Sequence, residues 1–83
     1  MLHPVFLGET SKQLKKCKDK KYVKKVLVLV NDACRTPFKG LGKPEPLKEN
    51  LSGYWSRRID KKNRLIYRVV EPDLLIVSVV GHY

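Results

Sequence analysis

The sequence contains few acidic residues, few cysteines and histidines, and no long apolar run. The two cysteines, Cys17 and Cys34, belong to neither a CxxC pair nor a Cys/His cluster, so we expect free thiols and no metal site. The two histidines, His3 and His82, stand far apart. No segment approaches the roughly 20 apolar residues of a membrane span, and residues 1–6 lack the basic start of a signal peptide. We therefore expect a cytoplasmic protein without a metal, a cofactor or a membrane anchor.

The shortage of acids leaves a strong positive charge. Eighteen Lys and Arg residues oppose eight Asp and Glu residues, for a formal net charge of +10. A domain this basic indicates a polyanionic partner, such as nucleic acid, an anionic membrane surface or an acidic protein. The alternative is a surface that only keeps the protein soluble, for which a net charge of roughly 2 to 8 is enough. Eight lysines lie in residues 12–25, and for most of them we favour a solvated helix face over phosphate contact.

The N-terminal half predicts one strand followed by two helices, within a single domain over residues 1–83. Residues 2–7 predict a short strand that Pro4 restricts to a sheet edge or to an irregular start. Residues 10–19 predict the first helix. In residues 22–34 the apolar positions recur at helical spacing, so this segment predicts the second helix. Its apolar face comprises Val23, Val26, Leu27, Val30, Ala33 and Cys34.

The C-terminal half predicts a long loop and three strands. Residues 36–53 hold three of the five prolines and three of the five glycines, and loops of this length in compact domains are usually functional. Strands at 54–59, 64–70 and 74–80 are separated by short polar turns, which predict an antiparallel meander. The last strand is apolar on both faces and is expected inside the sheet. The fold is therefore an α+β domain of order β-α-α-β-β-β, with two N-terminal helices on one face of a mainly antiparallel sheet.

Alternation along the predicted strands gathers cationic side chains on one face. Arg58 shares a face with residues 54 and 56, and Arg64 shares a face with residues 66 and 68. If the last strand stays regular, His82 lies on the same side as Ser78 and Ile76. Arginines with a histidine and a carboxylate can cleave RNA without a metal, because a base activates the 2′-OH, an acid protonates the leaving oxygen and cations stabilise the phosphate. These arguments alone indicate a basic α+β domain that binds RNA.

Three motifs in the C-terminal part of the chain carry a family resemblance. They are RTPFKGLGKPEPLKENLSGYWSRRID at 35–60, RLIYRV at 64–69 and the terminal HY at 82–83. Together they resemble the signature of the YoeB/Txe toxins of the RelE superfamily. The resemblance implies a RelE-like fold and the toxin of a type II toxin–antitoxin system, an mRNA endoribonuclease that acts in the ribosomal A site. It also implies a YefM/Phd-type antitoxin, whose disordered acidic segment fits a strongly basic partner.

The resemblance assigns catalytic roles to four positions. Glu45 corresponds to the general base, and Arg64 to the arginine that stabilises the phosphate in the transition state. His82 corresponds to the general acid. Tyr83 corresponds to a terminal aromatic that positions the RNA, and stacking is a common way to hold an unpaired base.

The resemblance also implies basic residues that line the cleft. Lys48 and Arg58 match such residues, and we include Arg57 among the RNA-binding residues, although Arg57 and Arg58 could simply be an exposed pair. Two alternatives to a nuclease stay open. One is a catalytically silent protein that binds RNA or the ribosome through the same basic face. The other is a protein that acts chiefly as an oligomer subunit, such as a homodimer.

Overall fold

The computed structural model describes residues 1–81, which form a five-stranded sheet with two helices packed on one face. The elements in chain order are β1 (His3–Phe6), α1 (Thr10–Lys16), α2 (Lys20–Arg35), β2 (Glu45–Pro46), a 3₁₀ turn (Glu49–Leu51), β3 (Tyr54–Arg58), β4 (Arg64–Val70) and β5 (Asp73–Ser78). The strand order across the sheet is β1-β5-β4-β3-β2. β1 is parallel to β5, and the other neighbours are antiparallel. The predicted α+β class is confirmed, and the two-residue strand β2 is an addition to it.

The second helix begins at a capping carboxylate and ends before a proline. Asp19 Oδ1 accepts hydrogen bonds from the backbone N–H groups of Lys21 (3.0 Å) and Tyr22 (3.1 Å), which would otherwise lack partners in the first turn. At the other end, Pro37 disfavours helical geometry in the residue before it. Thr36 accordingly leaves the helix with φ −137° and ψ 85°. α2 therefore spans more residues than the apolar pattern alone predicted.

The face of α2 that packs on the sheet differs slightly from the predicted one. Val26, Val30 and most of the other predicted positions are buried or half-buried, but Leu27 is 47% exposed. Leu29, which the pattern had not included, is buried instead, with 4% exposure. Residues 26–30 are all apolar and cover more than half of the helix circumference. Periodicity therefore could not decide which part of this wide stripe meets the sheet.

The sheet confirms the predicted positions of the first and last strands and corrects the predicted alternation of side chains along the last strand. β1 lies at an edge, as its proline indicated, and β5 lies inside the sheet between β1 and β4. Ile66 pairs with Ser78, whereas Tyr67 pairs with Ile76, so Val77 is an extra residue in β5. The expectation that Ile76 and Ser78 share a side is therefore wrong, because a bulge inserts one residue and reverses the alternation beyond it. Ile76 is fully buried in the core, and Ser78 is on the other face.

The cysteines, possible metal-binding clusters and membrane-spanning helices were also considered in the sequence, and residues 1–81 bear on each of them. Cys17 and Cys34 are both free thiols. Within residues 1–81, no three or more His, Cys, Asp or Glu side chains gather into a possible metal-binding group. Among the same residues, neither helix has the length and apolar character required to cross a bilayer. The predicted site residues His82 and Tyr83 lie outside the described residues.

Candidate active site

The sheet face opposite the helices carries three of the predicted site residues. Glu45 on β2 pairs with Ser56 on β3, and Ser56 pairs with Ile66 on β4. In the adjacent row, Arg58 pairs with Arg64. Directly paired residues of antiparallel strands project to the same face, so these five side chains share it. The intervening residues of β4 project into the core against the helices. The structure therefore brings Glu45, Arg58 and Arg64 together on this face, which we call the site face.

The exposure of these side chains leaves them available to a ligand. Glu45 and Arg58 are exposed and Arg64 is half-buried. β2 and β4 are separated by one strand, and Glu45 and Arg64 lie in neighbouring rows, so their backbone positions are about 12 Å apart. The long side chains of glutamate and arginine can meet around a phosphodiester across such a gap. Lys48 is also exposed and lies two residues beyond β2, just before the 3₁₀ turn. This face can thus supply a carboxylate and several cations to one phosphate.

The position of Glu45 depends on a loop that is held close to β3. Pro44 and Pro46 flank Glu45, and β2 lies at the sheet edge, where missing backbone donors are tolerated. Upstream, the Gly42 carbonyl accepts a hydrogen bond from the Arg58 backbone N–H at 2.7 Å. Gly42 has φ +78°, and a Cβ there would come within 3.0 Å of the Arg58 carbonyl oxygen. A glycine is therefore required for the loop to approach β3 this closely.

The chain returns to the start of β4 just before the residues that the structure does not describe. The Arg64 backbone N–H donates a hydrogen bond to the Gly81 carbonyl at 2.8 Å. The Gly81 N–H donates in turn to the Asn63 side-chain oxygen at 2.8 Å. The sequence had given Asn63 no role, and its spacing from Gly81 carried no signal of this contact. These two bonds fix Gly81 beside Arg64.

The structure does not support Arg57 as an RNA-binding residue. Arg57 follows Ser56 on β3, so it projects to the helix side of the sheet, and it is fully buried. Its Nη1 forms an ion pair with Asp32 Oδ2 at 2.7 Å, and its Nε donates to the Tyr67 hydroxyl at 3.0 Å. We therefore correct the sequence prediction, because a guanidinium enclosed in the core cannot reach RNA. Arg58 is the exposed member of the pair.

The buried guanidinium of Arg57 anchors the loop that leads to Glu45. Nη1 also donates to the Leu41 carbonyl (3.1 Å), and Nη2 donates to the carbonyls of Thr36 (2.6 Å) and Lys39 (2.9 Å). The Tyr67 hydroxyl donates to a further loop carbonyl, that of Pro37, at 2.6 Å. Buried carbonyls without partners are costly. One arginine therefore supplies a hydrogen-bond donor to three carbonyls of this proline- and glycine-rich segment.

Asp32 completes this buried cluster from the helix side. Its carboxylate accepts a hydrogen bond from the Leu41 backbone N–H at 2.9 Å and contacts Arg35 at 3.0 Å, besides Arg57. These interactions, led by the Leu41 N–H and then by Arg57 and Arg35, lower the pKa of Asp32 to about 2. Asp32 is not among the site residues that the sequence predicted. The sequence feature that could have identified it is its position as an acidic residue between apolar residues of α2, since a buried carboxylate implies a buried partner.

An apolar groove borders the site face, and we call it the α2 groove. Val28 and Leu41, which are 46% and 52% exposed, contribute to it. Its full lining is Lys25, Val28, Leu29, Leu41, Gly42, Lys43, Arg58, Ile59, Asp60 and Lys61. The groove is therefore apolar at its centre and mainly basic at its rim. Arg58 belongs both to the groove and to the site face, so the two surfaces are continuous.

Comparison with known proteins agrees with this fold and shows the family of the chain. A family profile described as a YoeB-like toxin of bacterial type II toxin-antitoxin systems matches residues 12–83. The toxin YoeB of Escherichia coli (strain K12) is 57% identical over 65 residues, which cover 78% of this chain and 77% of that protein. The class of protein is thus a toxin of a type II toxin–antitoxin system. Within that class, the chain belongs to the YoeB family.

Solved structures from Staphylococcus aureus have the same fold. The YoeB dimer superposes with a TM-score of 0.89 at 40% sequence identity, over 99% of this chain and 98% of that chain. A chain of the heterotetrameric YoeB–YefM toxin–antitoxin complex superposes with a TM-score of 0.87 at 40% identity, over 100% of this chain and 99% of that chain. The superpositions include the N-terminal strand and helices, so the family fold extends beyond the motifs noted in the sequence.

Proposed function

We propose that this toxin is a metal-independent endoribonuclease that cleaves mRNA on the ribosome. The observation that supports it best is the shared face of Glu45, Arg58 and Arg64, with Gly81 bonded beside Arg64. A carboxylate and two guanidiniums on one exposed face suit a phosphodiester that must be bound and attacked. Gly81 directly precedes His82, which we propose as the general acid.

In the proposed reaction, the substrate supplies its own nucleophile. Glu45 removes the proton from a ribose 2′-OH, and the 2′-oxygen attacks the adjacent phosphorus. The bond to the 5′-oxygen of the next nucleotide breaks, and His82 donates a proton to that oxygen. The products are a 2′,3′-cyclic phosphate and a new 5′-OH end. No metal is needed in this reaction, because the proton acceptor, the proton donor and the charge-stabilising groups are side chains.

The cationic residues have separate tasks in this proposal. Arg64 stabilises the charge that grows on the phosphate oxygens, since its planar fork matches them and stays protonated. Arg58 and Lys48 hold the neighbouring phosphates of the mRNA, and Tyr83 stacks on a base. Binding through phosphates weakens as salt rises, because counterions compete for them.

The first test compares the parent with Glu45→Gln. Purified protein is added to ribosomes programmed with a defined mRNA, and new 5′ ends are mapped by primer extension. Loss of a general base should slow cleavage by about 100- to 10,000-fold. Glu49→Gln is the matched control, because Glu49 is an exposed carboxylate in the 3₁₀ turn rather than on the site face. It should cleave like the parent.

The same experiment separates the nuclease from the silent binder. A parent protein that sediments with ribosomes but produces no new 5′ ends is a binding protein, and the proposed reaction is then wrong. Equal cleavage by the parent and Glu45→Gln would retain the nuclease but remove Glu45 from the role of base.

We propose a YefM-type antitoxin as the inhibitory partner, together with a homodimeric state of the toxin. The dimer and the YoeB–YefM complex of the Staphylococcus aureus relative support both assemblies. An acidic amphipathic segment fits the α2 groove, because its apolar side chains would cover Val28 and Leu41 while its carboxylates meet the basic rim. A segment seated there also reaches Arg58, so binding would block the site face.

This docking surface predicts a selective loss of inhibition. Val28→Glu introduces a carboxylate into the groove and should weaken binding of a YefM-type antitoxin by at least about tenfold, since like charges across an interface oppose binding. Val70→Glu is the control, because Val70 is equally exposed (47%) but lies on β4, outside the groove. Affinity is measured by titration calorimetry, and sedimentation gives the stoichiometry. Equal affinity of both variants would reject the α2 groove as the docking surface.

A further inference from the structure

Ser56 has a buried hydroxyl for which residues 1–81 provide no hydrogen-bond partner. The residue is 1% exposed, and its Oγ contacts neither a donor nor an acceptor within the described part of the chain. The other buried polar side chains in residues 1–81, such as Arg57 and Asp32, have partners. A buried hydroxyl without a partner destabilises the folded state, so the presence of one calls for an explanation.

Within its own row, the sheet register places one titratable residue directly beside this hydroxyl. Ser56 lies in the row between Glu45 on β2 and Ile66 on β4, and all three share the site face. Ile66 offers no polar atom, so Glu45 is the polar partner within the row. Side chains paired directly across antiparallel strands have Cβ atoms about 4.5–5.5 Å apart. A rotation of the glutamate side chain is enough to bring its carboxylate within hydrogen-bond distance of the Ser56 hydroxyl.

The state of Glu45 in the free chain indicates when this contact forms. Its side chain is exposed and makes no hydrogen bond to Ser56. When RNA covers the site, water is excluded, and an ionised carboxylate then needs replacement donors. The Ser56 hydroxyl is the donor that lies ready on the adjacent strand.

We infer that Ser56 is a positioning residue for Glu45, a role that rests on the proposed ribonuclease function. In the RNA-bound state the Ser56 hydroxyl donates to one carboxylate oxygen of Glu45. This bond holds the side chain over the sheet and directs its second oxygen at the ribose 2′-OH. The residue does not touch the reacting atoms. In the free state no group of residues 1–81 pairs with this donor, at a cost in stability, until substrate turns the glutamate toward it.

A double-mutant cycle tests this role. Ser56→Ala removes only the hydroxyl, which has no partner to lose among residues 1–81, so the variant should fold and be at least as thermally stable as the parent. It should lower the saturating cleavage rate on programmed ribosomes by roughly 10- to 100-fold, the range expected for a hydrogen bond to a charged group. KM should change by less than about twofold, because the contact orients the base rather than binding RNA.

The Glu45→Gln background supplies the decisive comparison. If Ser56 acts through the Glu45 carboxylate, adding Ser56→Ala to Glu45→Gln should change the rate by less than about twofold. Ser11→Ala, on α1 away from the site face, controls for loss of a serine hydroxyl. Equal effects of Ser56→Ala in both backgrounds, or no effect on the parent rate, would overturn the inference. Failure of the parent to cleave at all would instead reject the proposed function.

Discussion

Arg64→Ala is expected to slow mRNA cleavage on ribosomes by about 100- to 1,000-fold, the usual effect of removing one donor that stabilises a growing negative charge. Arg64 is half-buried on the site face, where a cation acts more strongly than in open water. The bond that holds Gly81 comes from the Arg64 backbone N–H, so the substitution leaves it in place. The thermal midpoint should therefore stay close to that of the parent.

The matched control is Arg68→Ala on the same strand and the same face. Arg68 is exposed and lies over the Tyr54 ring, with 5.5 Å from the guanidinium carbon to the ring centroid. Loss of Arg68 lowers the net charge of the domain by the same amount, but it leaves the Arg58–Arg64 pair in place, because Arg68 is paired with Tyr54. Cleavage should fall by less than about fivefold, through weaker phosphate attraction alone. Comparable rates for both variants would mean that Arg64 contributes only to the general positive charge.

Arg57→Ala is expected to destabilise the fold by about 3–5 kcal/mol, the usual cost of removing one member of a buried ion pair. The substitution leaves the Asp32 carboxylate buried without its closest cation and removes one donor from each of three loop carbonyls. Small domains have only about 5–15 kcal/mol of total stability. Chemical denaturation followed by circular dichroism measures the difference.

Arg58→Ala is the natural control, because the two arginines are adjacent and differ in burial. Arg58 is exposed and Arg57 is fully buried. Arg58→Ala should lower stability by less than about 0.5 kcal/mol, as is usual for surface positions, while weakening RNA binding. A variant in which both core partners are replaced, Asp32→Leu with Arg57→Met, should recover part of the lost stability. Equal denaturation midpoints for Arg57→Ala and Arg58→Ala would contradict the buried anchor.

The pH dependence of stability provides a second measurement on the same cluster. The pKa of Asp32 in the folded chain is about 2, below its ordinary value. A carboxyl whose pKa is lowered by folding contributes stability that is complete at neutral pH and is lost as the pH falls through the folded pKa. The stability difference between the parent and Arg57→Ala should therefore persist to about pH 4 and narrow as the pH approaches 2.

The parts of the structure that follow from local periodicity could be predicted. β4 occupies Arg64–Val70, as its pattern indicated. The two-residue period of a strand put Arg64 and Arg58 on the face without helices, and the short turn between β3 and β4 brings them opposite one another. The same alternation placed Arg57 on the other face. Grouping Arg57 with the RNA-binding residues ignored that signal.

The remaining features depend on contacts between distant parts of the chain. The ion pair of Arg57 and Asp32 joins residues that are 25 positions apart, and neither residue indicates the other in sequence. The bulge at Val77 follows a run of apolar residues, Leu74–Val77, so no alternation of polar and apolar residues marks the change of register. β2 consists of Glu45 and a proline, and it becomes a strand only through pairing with β3.

The placement of β5 has a consequence for the order in which the molecule can assemble. β1 bonds to the rest of the sheet only through β5, and His3 aligns with Asp73. A nascent polypeptide therefore cannot close its sheet until the segment Asp73–Ser78 has left the exit tunnel, because the first strand has no partner before then. Contacts this remote in sequence also form late in folding. The sheet is therefore completed only after β5 has been synthesised and can pair with β1 on one side and β4 on the other.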